Sequence, residues 1–224
     1  MRLLKRKART FDIQVQDLVL HITAAAELNE ESRAAALSFW EQLHAYSLRD
    51  PAFRTSKRPI EVPDDAPEIV KEMVLASSKA GVGPMYSFQG ALADHVGRFL
   101  TRDLDSVSVS CGGDFFVLTR KRQKLTFHTR PDGGGLSVVV APRKGGVGIS
   151  TSLGRMRTSV DGLAVLAESC MLADAAAAGV GAIVPREGGF RLALTYLRKV
   201  PGVIGGVVVQ GDRIGVAGGV EIAA

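Results

Sequence analysis

A run of small side chains interrupted by one acid constrains this chain more than any other feature. Ser159 to Val184 reads SVDGLAVLAESCMLADAAAAGVGAIV. Leu163 to Ala167 predicts a short apolar strand, and the Ala-rich segment after it predicts a helix. Small side chains on a helix let another backbone, or a ligand, come very close. Asp174 sits in the middle of that helix. A carboxylate there is either exposed or Arg-paired, or it is buried, and then it must be neutralised, paired or bound to a cation.

The 224 residues suffice for one large domain or two small ones, and with no linker in evidence residues 1–224 read as a single domain. Hydrophobic content of 46% with 23% charged residues is that of a soluble globular protein. Aromatic residues are only 6% while Gly reaches 25, which favours tight turns and close backbone approach over aromatic packing. The net charge of +5 is concentrated at Arg2, Lys5, Arg6, Lys7 and Arg9 and at Arg120, Lys121, Arg122 and Lys124. No aromatic residues interleave with these runs, so they read as solvated charge and nucleic acid is not an expected partner. Cys111 and Cys170 have no metal-ligand spacing and form no disulfide framework, so reduced thiols in a cytoplasmic protein are expected. No apolar segment of signal-peptide or membrane-spanning length is present, so neither export nor a membrane is expected.

Phe11, Ile13 and Val15 alternate with polar residues, as do Leu18, Leu20 and Ile22, which predicts a hairpin with one buried face. Asn29 is expected to cap a helix running to about residue 48, with Glu30 and Glu31 in its first turn. Residues 50–63 carry three prolines and read as irregular. Pro67 in the first turn and Gly81 past the end bracket a second helix, residues 66–80. The turn Gly81 to Met85 opens a third helix over residues 87–100, rich in small residues and carrying Asp94 and His95. Strands follow at 107–110, 115–118, 125–129, 136–141 and 147–150. Residues 191–198 fit a strand or a short helix, and the end predicts a hairpin, 203–209 with 214–222, with Gly218-Gly219 as a bulge.

Gly90-Ala91-Leu92-Ala93-Asp94 and Met171-Leu172-Ala173-Asp174 resemble each other, and a strand pair follows each helix. The match reads either as an internal duplication or as chance. Strand runs with separate helices predict an α+β fold with antiparallel sheet.

Three constellations carry chemistry. Gly112-Gly113-Asp114 either lets a ligand lie on the backbone, with Asp114 accepting from it, or simply turns the chain. Ser150, Thr151 and Ser152, with Gly154, either offer hydroxyls and amides to phosphate oxygens or form a polar turn. Asp174 is a candidate ligand for a hard cation, although Ala178 one turn later offers no oxygen. His128 reads as a surface residue and Cys170 as inert core.

Asp64-Asp65-Ala66-Pro67-Glu68-Ile69-Val70, Ala80-Gly81-Val82-Gly83-Pro84-Met85, Gly112-Gly113-Asp114, Gly148-Ile149-Ser150-Thr151-Ser152 and Leu172-Ala173-Asp174-Ala175-Ala176-Ala177 together resemble an uncharacterised prokaryotic family of the ApbE-like superfamily. The better-known branch of that superfamily comprises the FAD:protein FMN transferases, which hold magnesium with an Asp and a Thr one turn later and attach FMN to a Thr of a partner protein. The resemblance implies a T-fold-like arrangement of helices on antiparallel sheets. It also implies a flavin nucleotide, FAD or FMN, or a similar phosphate-bearing ligand, and extends to FMN transfer to an acceptor protein. On it, Asp174 is the catalytic candidate and Asp174 with Asp161 the magnesium candidates. Ser150, Thr151 and Ser152 would meet phosphate, Gly112, Gly113 and Asp114 the ring, and Gly83, Pro84 and Met85 would shape the rim. The family's Thr falls on Ala178, so the alternative is a non-catalytic binding or assembly module that has lost the metal site. A homo-oligomer is also expected, because the terminal hairpin leaves a sheet edge to cover.

Overall fold

A computed structural model describes residues 8–128, 135–151 and 160–223. Alternating burial makes a hairpin of β1 (Arg9–Val15) and β2 (Leu18–Ala24), with Phe11, Ile13, Val15, Leu20 and Ile22 turned inward. Four helices follow: α1 (Asn29–Arg49), α2 (Pro51–Thr55), α3 (Glu68–Ala80) and, after a 3-10 turn at Pro84–Ser87, α4 (Phe88–Leu100). A second hairpin comprises β3 (Val107–Cys111) and β4 (Asp114–Leu118). Strands β5 (Gln123–His128) and β6 (Gly135–Val140) come next. The order then repeats: β7 (Val147–Thr151) and β8 (Gly162–Ala167), helices α5 (Cys170–Ile183) and α6 (Gly189–Lys199), then β9 (Val203–Gln210) and β10 (Arg213–Gly218). Strand β11 (Glu221–Ala223) ends the described chain.

Eight strands form one antiparallel sheet in the order β1-β2-β3-β4-β7-β8-β9-β10. Each half of it is a hairpin, a set of helices and a second hairpin, and the halves meet where β4 pairs with β7. This repeat of element order is the arrangement that the two Ala-Asp segments suggested. A smaller antiparallel sheet, β11-β6-β5, packs on the face opposite the helices. Strands β7 and β8 are buried along their whole length, since helices cover one face and the small sheet the other. Along β8, Leu163, Val165 and Ala167 join the core under the helices, while Ala164 and Leu166 face the small sheet. The α+β class is as expected.

Several local expectations give way to longer-range forces. Asn29 does not cap α1: it is the first helical residue, and its side chain donates to Glu27 instead. The proline-bearing stretch after Arg49 contains α2, whose amides at Ala52 and Phe53 are capped by Asp50 and whose Phe53 is fully buried. Pro67 precedes α3 rather than starting it. Residues 189–199 are a helix because Gly189, Ala193 and Leu197, four apart, bury one stripe against the sheet. The terminal hairpin does not run through to Ile222: β10 leaves the large sheet at Gly218, at positive φ, and β11 joins β6 in the small one. Strand β5 pairs with β6 in that same small sheet.

Candidate functional site

Helices α4 and α5 cross at their N-terminal ends, and Gly90 is what permits it. A Cβ on Gly90 would lie 2.3 Å from the carbonyl oxygen of Cys170. At this crossing the two acids of the repeated segments exchange partners. Asp94, on α4, accepts through Oδ2 from the backbone N–H of Met171 at 2.9 Å and also takes that of Cys170, the first two residues of α5. Asp174, on α5, accepts through Oδ2 from Gly90 N–H at 3.0 Å and also takes that of Gln89, in the first turn of α4. First-turn amides have no partner inside their own helix, and they form the positive end of its dipole. Each acid thus satisfies the other helix, and α4 has no side-chain cap of its own.

Asp114 is the third acid of the cluster. It opens β4, pairs across the seam with Ser150 and accepts a hydrogen bond from the Ser150 hydroxyl. Burial pushes its carboxyl up to about 7, against the opposing bond from Ser150. Burial likewise pushes Asp94 up to about 6, against the two amides it accepts. Asp174 retains some solvent access, yet desolvation and then the charge of Asp114 hold it well above the ordinary carboxylate range. The same surroundings push the buried Cys111 thiol up to about 12 and raise Cys170 as well, so neither is a nucleophile. His95 packs its ring 5.3 Å from that of Phe39 and is depressed by burial.

The turn between β3 and β4 lies against this cluster. Gly112 and Gly113 both have positive φ, +62° and +111°, which a two-residue hairpin turn requires. The Gln89 side chain covers Gly112, where a Cβ would come within 2.4 Å of its amide nitrogen. Thr151 pins the turn from β7: its hydroxyl donates to the carbonyl of Gly113 at 2.8 Å and its amide does so at 3.0 Å. The hydroxyl hydrogens of Ser150 and Thr151 are therefore already donated within the protein, and both side chains shape the site from below.

The other sequence-derived candidates fall as follows. Gly83 and Pro84 are buried, Gly83 with no room for a Cβ beside the carbonyl of Ser56, and with the half-buried Met85 they lead into α4. Asp161 is not brought to Asp174: it precedes β8, at the strand end away from α5, and accepts from Gly211 N–H at 2.6 Å in the β9–β10 turn. Ser152, like Gly154, lies outside the described residues. Among the described residues no three His, Cys, Asp or Glu side chains are grouped to hold a metal ion. Ala178 adds no oxygen one turn beyond Asp174. The donor set thus does not fit a magnesium ion held by an Asp and a Thr.

Motif reading does not single out Asp94 or Gln89, which the fold places in the cluster. The one sign of Asp94 in the sequence is its place in the segment that parallels Met171 to Asp174. A cleft of ≈ 240 Å³ opens at the start of α5, flanked by the ion pairs Lys79–Glu168 (2.7 Å) and Arg98–Glu72 (2.5 Å). It reaches Asp94 but none of Asp114, Asp174, Gly112 and Gly113. No helix among the described residues is long and apolar enough to cross a membrane.

A family model described as AbpE bacteria matches residues 1–191. A UPF0280 protein of Methanocella arvoryzae is 26% identical over 217 residues, covering 94% of this chain and 89% of the relative. A UPF0280 protein of Methanosarcina acetivorans is 30% identical over 206 residues, covering 88% and 79%. Among solved structures, the flavin transferase ApbE from Vibrio cholerae superposes with a TM-score of 0.58 at 13% identity, over 94% of this chain and 98% of that one. The apo flavinyl transferase ApbE of Pseudomonas stutzeri superposes with a TM-score of 0.60 at 14% identity, over 97% and 96%. At these identities the superpositions establish a shared fold.

Proposed function

The chain belongs to the AbpE bacteria family, and on that premise we propose that it binds a flavin nucleotide, FAD or FMN, or a similar phosphate-bearing ligand, where the α4 N-terminus meets Asp174 and the Gly112-Gly113 turn. The observation that carries this reading is the placement of Asp114 and Asp174 beside a side-chain-free turn, in a fold shared with two flavin transferases. The glycines leave backbone for a flat ring to lie on once Gln89 swings aside. Asp114, protonated over part of the neutral range, can donate as well as accept toward a ring or hydroxyl. Asp174 fixes the first turn of α4 by accepting its amides, and so positions the Gln89 side chain that covers the Gly112-Gly113 turn. Transfer of FMN from FAD to an acceptor protein is the further step that the fold relationship suggests.

Calorimetric titration with FAD and with FMN, each with and without magnesium, tests the proposal. Saturable binding of either is expected, and absence of binding in all four titrations overturns the reading. An Asp174→Ala variant that binds as tightly as the parent removes Asp174 from the site. The second reading, a non-catalytic binding module, is favoured by Ala178: it predicts flavin binding that magnesium leaves unchanged and no transfer to any protein acceptor.

A further inference from the structure

Away from the acidic cluster, the loop after α5, the start of α6 and the β9–β10 hairpin border an open cavity of ≈ 300 Å³. Three arginines from three different elements line it: Arg186 from the loop, Arg191 from α6 and Arg213 from β10. Among the described residues no carboxylate lines it and none of the three arginines is in an ion pair. Glu187 and Asp212, their sequence neighbours, are not in the lining. Arg98, Arg120, Arg122 and Lys79, by comparison, each have an acidic partner.

Arg213 is also held in place. Its guanidinium stacks over the Phe190 ring at 4.8 Å and donates to the Gln210 side-chain oxygen at 2.5 Å. A stacked guanidinium loses less conformational freedom on gaining a further hydrogen bond than a solvated one. Three like charges around one cavity repel one another, and a multiply charged oxyanion relieves that repulsion while accepting forked hydrogen bonds. The cavity also opens on the N-terminal turn of α6, whose Gly188 cap supplies no side-chain acceptor, so the field there has the same sign.

We propose that Arg186, Arg191 and Arg213 form a binding site for a phosphate-bearing anion, separate from the Asp174 cluster and independent of the flavin reading. The test is calorimetric titration of the full chain with inorganic pyrophosphate and, in parallel, with ADP, at about 0.15 M salt, where free surface charges are largely screened. One saturable site is expected, weakened at least tenfold in Arg186→Gln/Arg191→Gln/Arg213→Gln and unchanged in Lys79→Gln/Arg98→Gln, which alters the basic side chains at the cleft beside Asp94. Tighter binding of ADP than of pyrophosphate assigns a nucleotide ligand, and equal affinity assigns the inorganic group. The three side chains are exposed, so an unaltered thermal unfolding midpoint verifies that the triple variant is folded. No saturation at this salt, or equal binding by the triple variant, overturns the proposal. Loss of pyrophosphate binding in Lys79→Gln/Arg98→Gln places the anion at the cleft beside Asp94 and overturns it as well.

Discussion

Asp94 and Asp174 each accept the leading backbone amides of the helix that carries the other, through Met171 N–H at 2.9 Å and Gly90 N–H at 3.0 Å. Removing either carboxylate strands amides at a helix start in the interior. Asp94→Ala is expected to cost about 2–3 kcal/mol, the range for leaving buried polar groups unsatisfied. Asp94→Asn retains an acceptor oxygen and should cost markedly less. Urea unfolding of both variants checks the order, and equal losses would show that the hydrogen bonds are not what the carboxylate contributes.

Asp114 should make stability fall as pH rises. Its carboxyl is raised from an ordinary value of 3.8 to about 7 in the native state, chiefly by burial. Between those values the native state holds a proton that the unfolded state has released. The stability contributed by the neutral carboxyl is therefore complete below pH 3.8 and is lost as pH rises through 7. Asp114→Asn, which keeps an acceptor for Ser150, lacks this dependence. Relative to the parent it should be more stable at pH 8 than at pH 5, as read by denaturant unfolding at the two pH values. A constant difference would refute the raised native value.

Gly90→Ala should be among the most damaging single-methyl additions. The new Cβ would meet backbone, the Cys170 carbonyl at 2.3 Å, and that atom cannot rotate away. The helices must then separate, at a cost of about 2–3 kcal/mol. Thermal unfolding should show a midpoint lowered by roughly 4–12 °C for a domain of this size. A midpoint unchanged from the parent would mean that the crossing is looser than described.

Ala178→Thr tests the missing metal ligand directly. It places an oxygen one turn beyond Asp174, on a position that is nearly buried. If the loss of that oxygen is what silences a cation site, the variant should bind flavin nucleotide more tightly with magnesium than without, while the parent shows no such difference. Identical behaviour of the two proteins would indicate that the acidic cluster has been rebuilt for another purpose.

How far all this could be read from the chain depends on the range of the forces involved. The first hairpin was legible because Phe11, Ile13 and Val15 alternate, and α3 because Gly81 adopts the left-handed conformation that ends it. Asp174 stood out because an acid among alanines needs an explanation. Its actual partner could not be read, since Gly90 lies 84 residues away and offers only a backbone amide, which every residue has. Helix α2 and the transfer of β11 to the small sheet depend equally on distant contacts, at Phe53 and β6. Ser150 and Thr151 look like ligand-facing hydroxyls in sequence. Only the pairing of β4 with β7 shows that they face Asp114 and Gly113.

The exchange of acids across the α4–α5 crossing bears on how the molecule comes apart. Each half carries the acceptor that completes the other half's helix, so neither half holds a finished helix start by itself. Opening one half exposes unsatisfied amides in its neighbour and lowers that neighbour's stability in turn. The two halves of the large sheet should therefore unfold together, repetition of the element order not bringing independence of the parts.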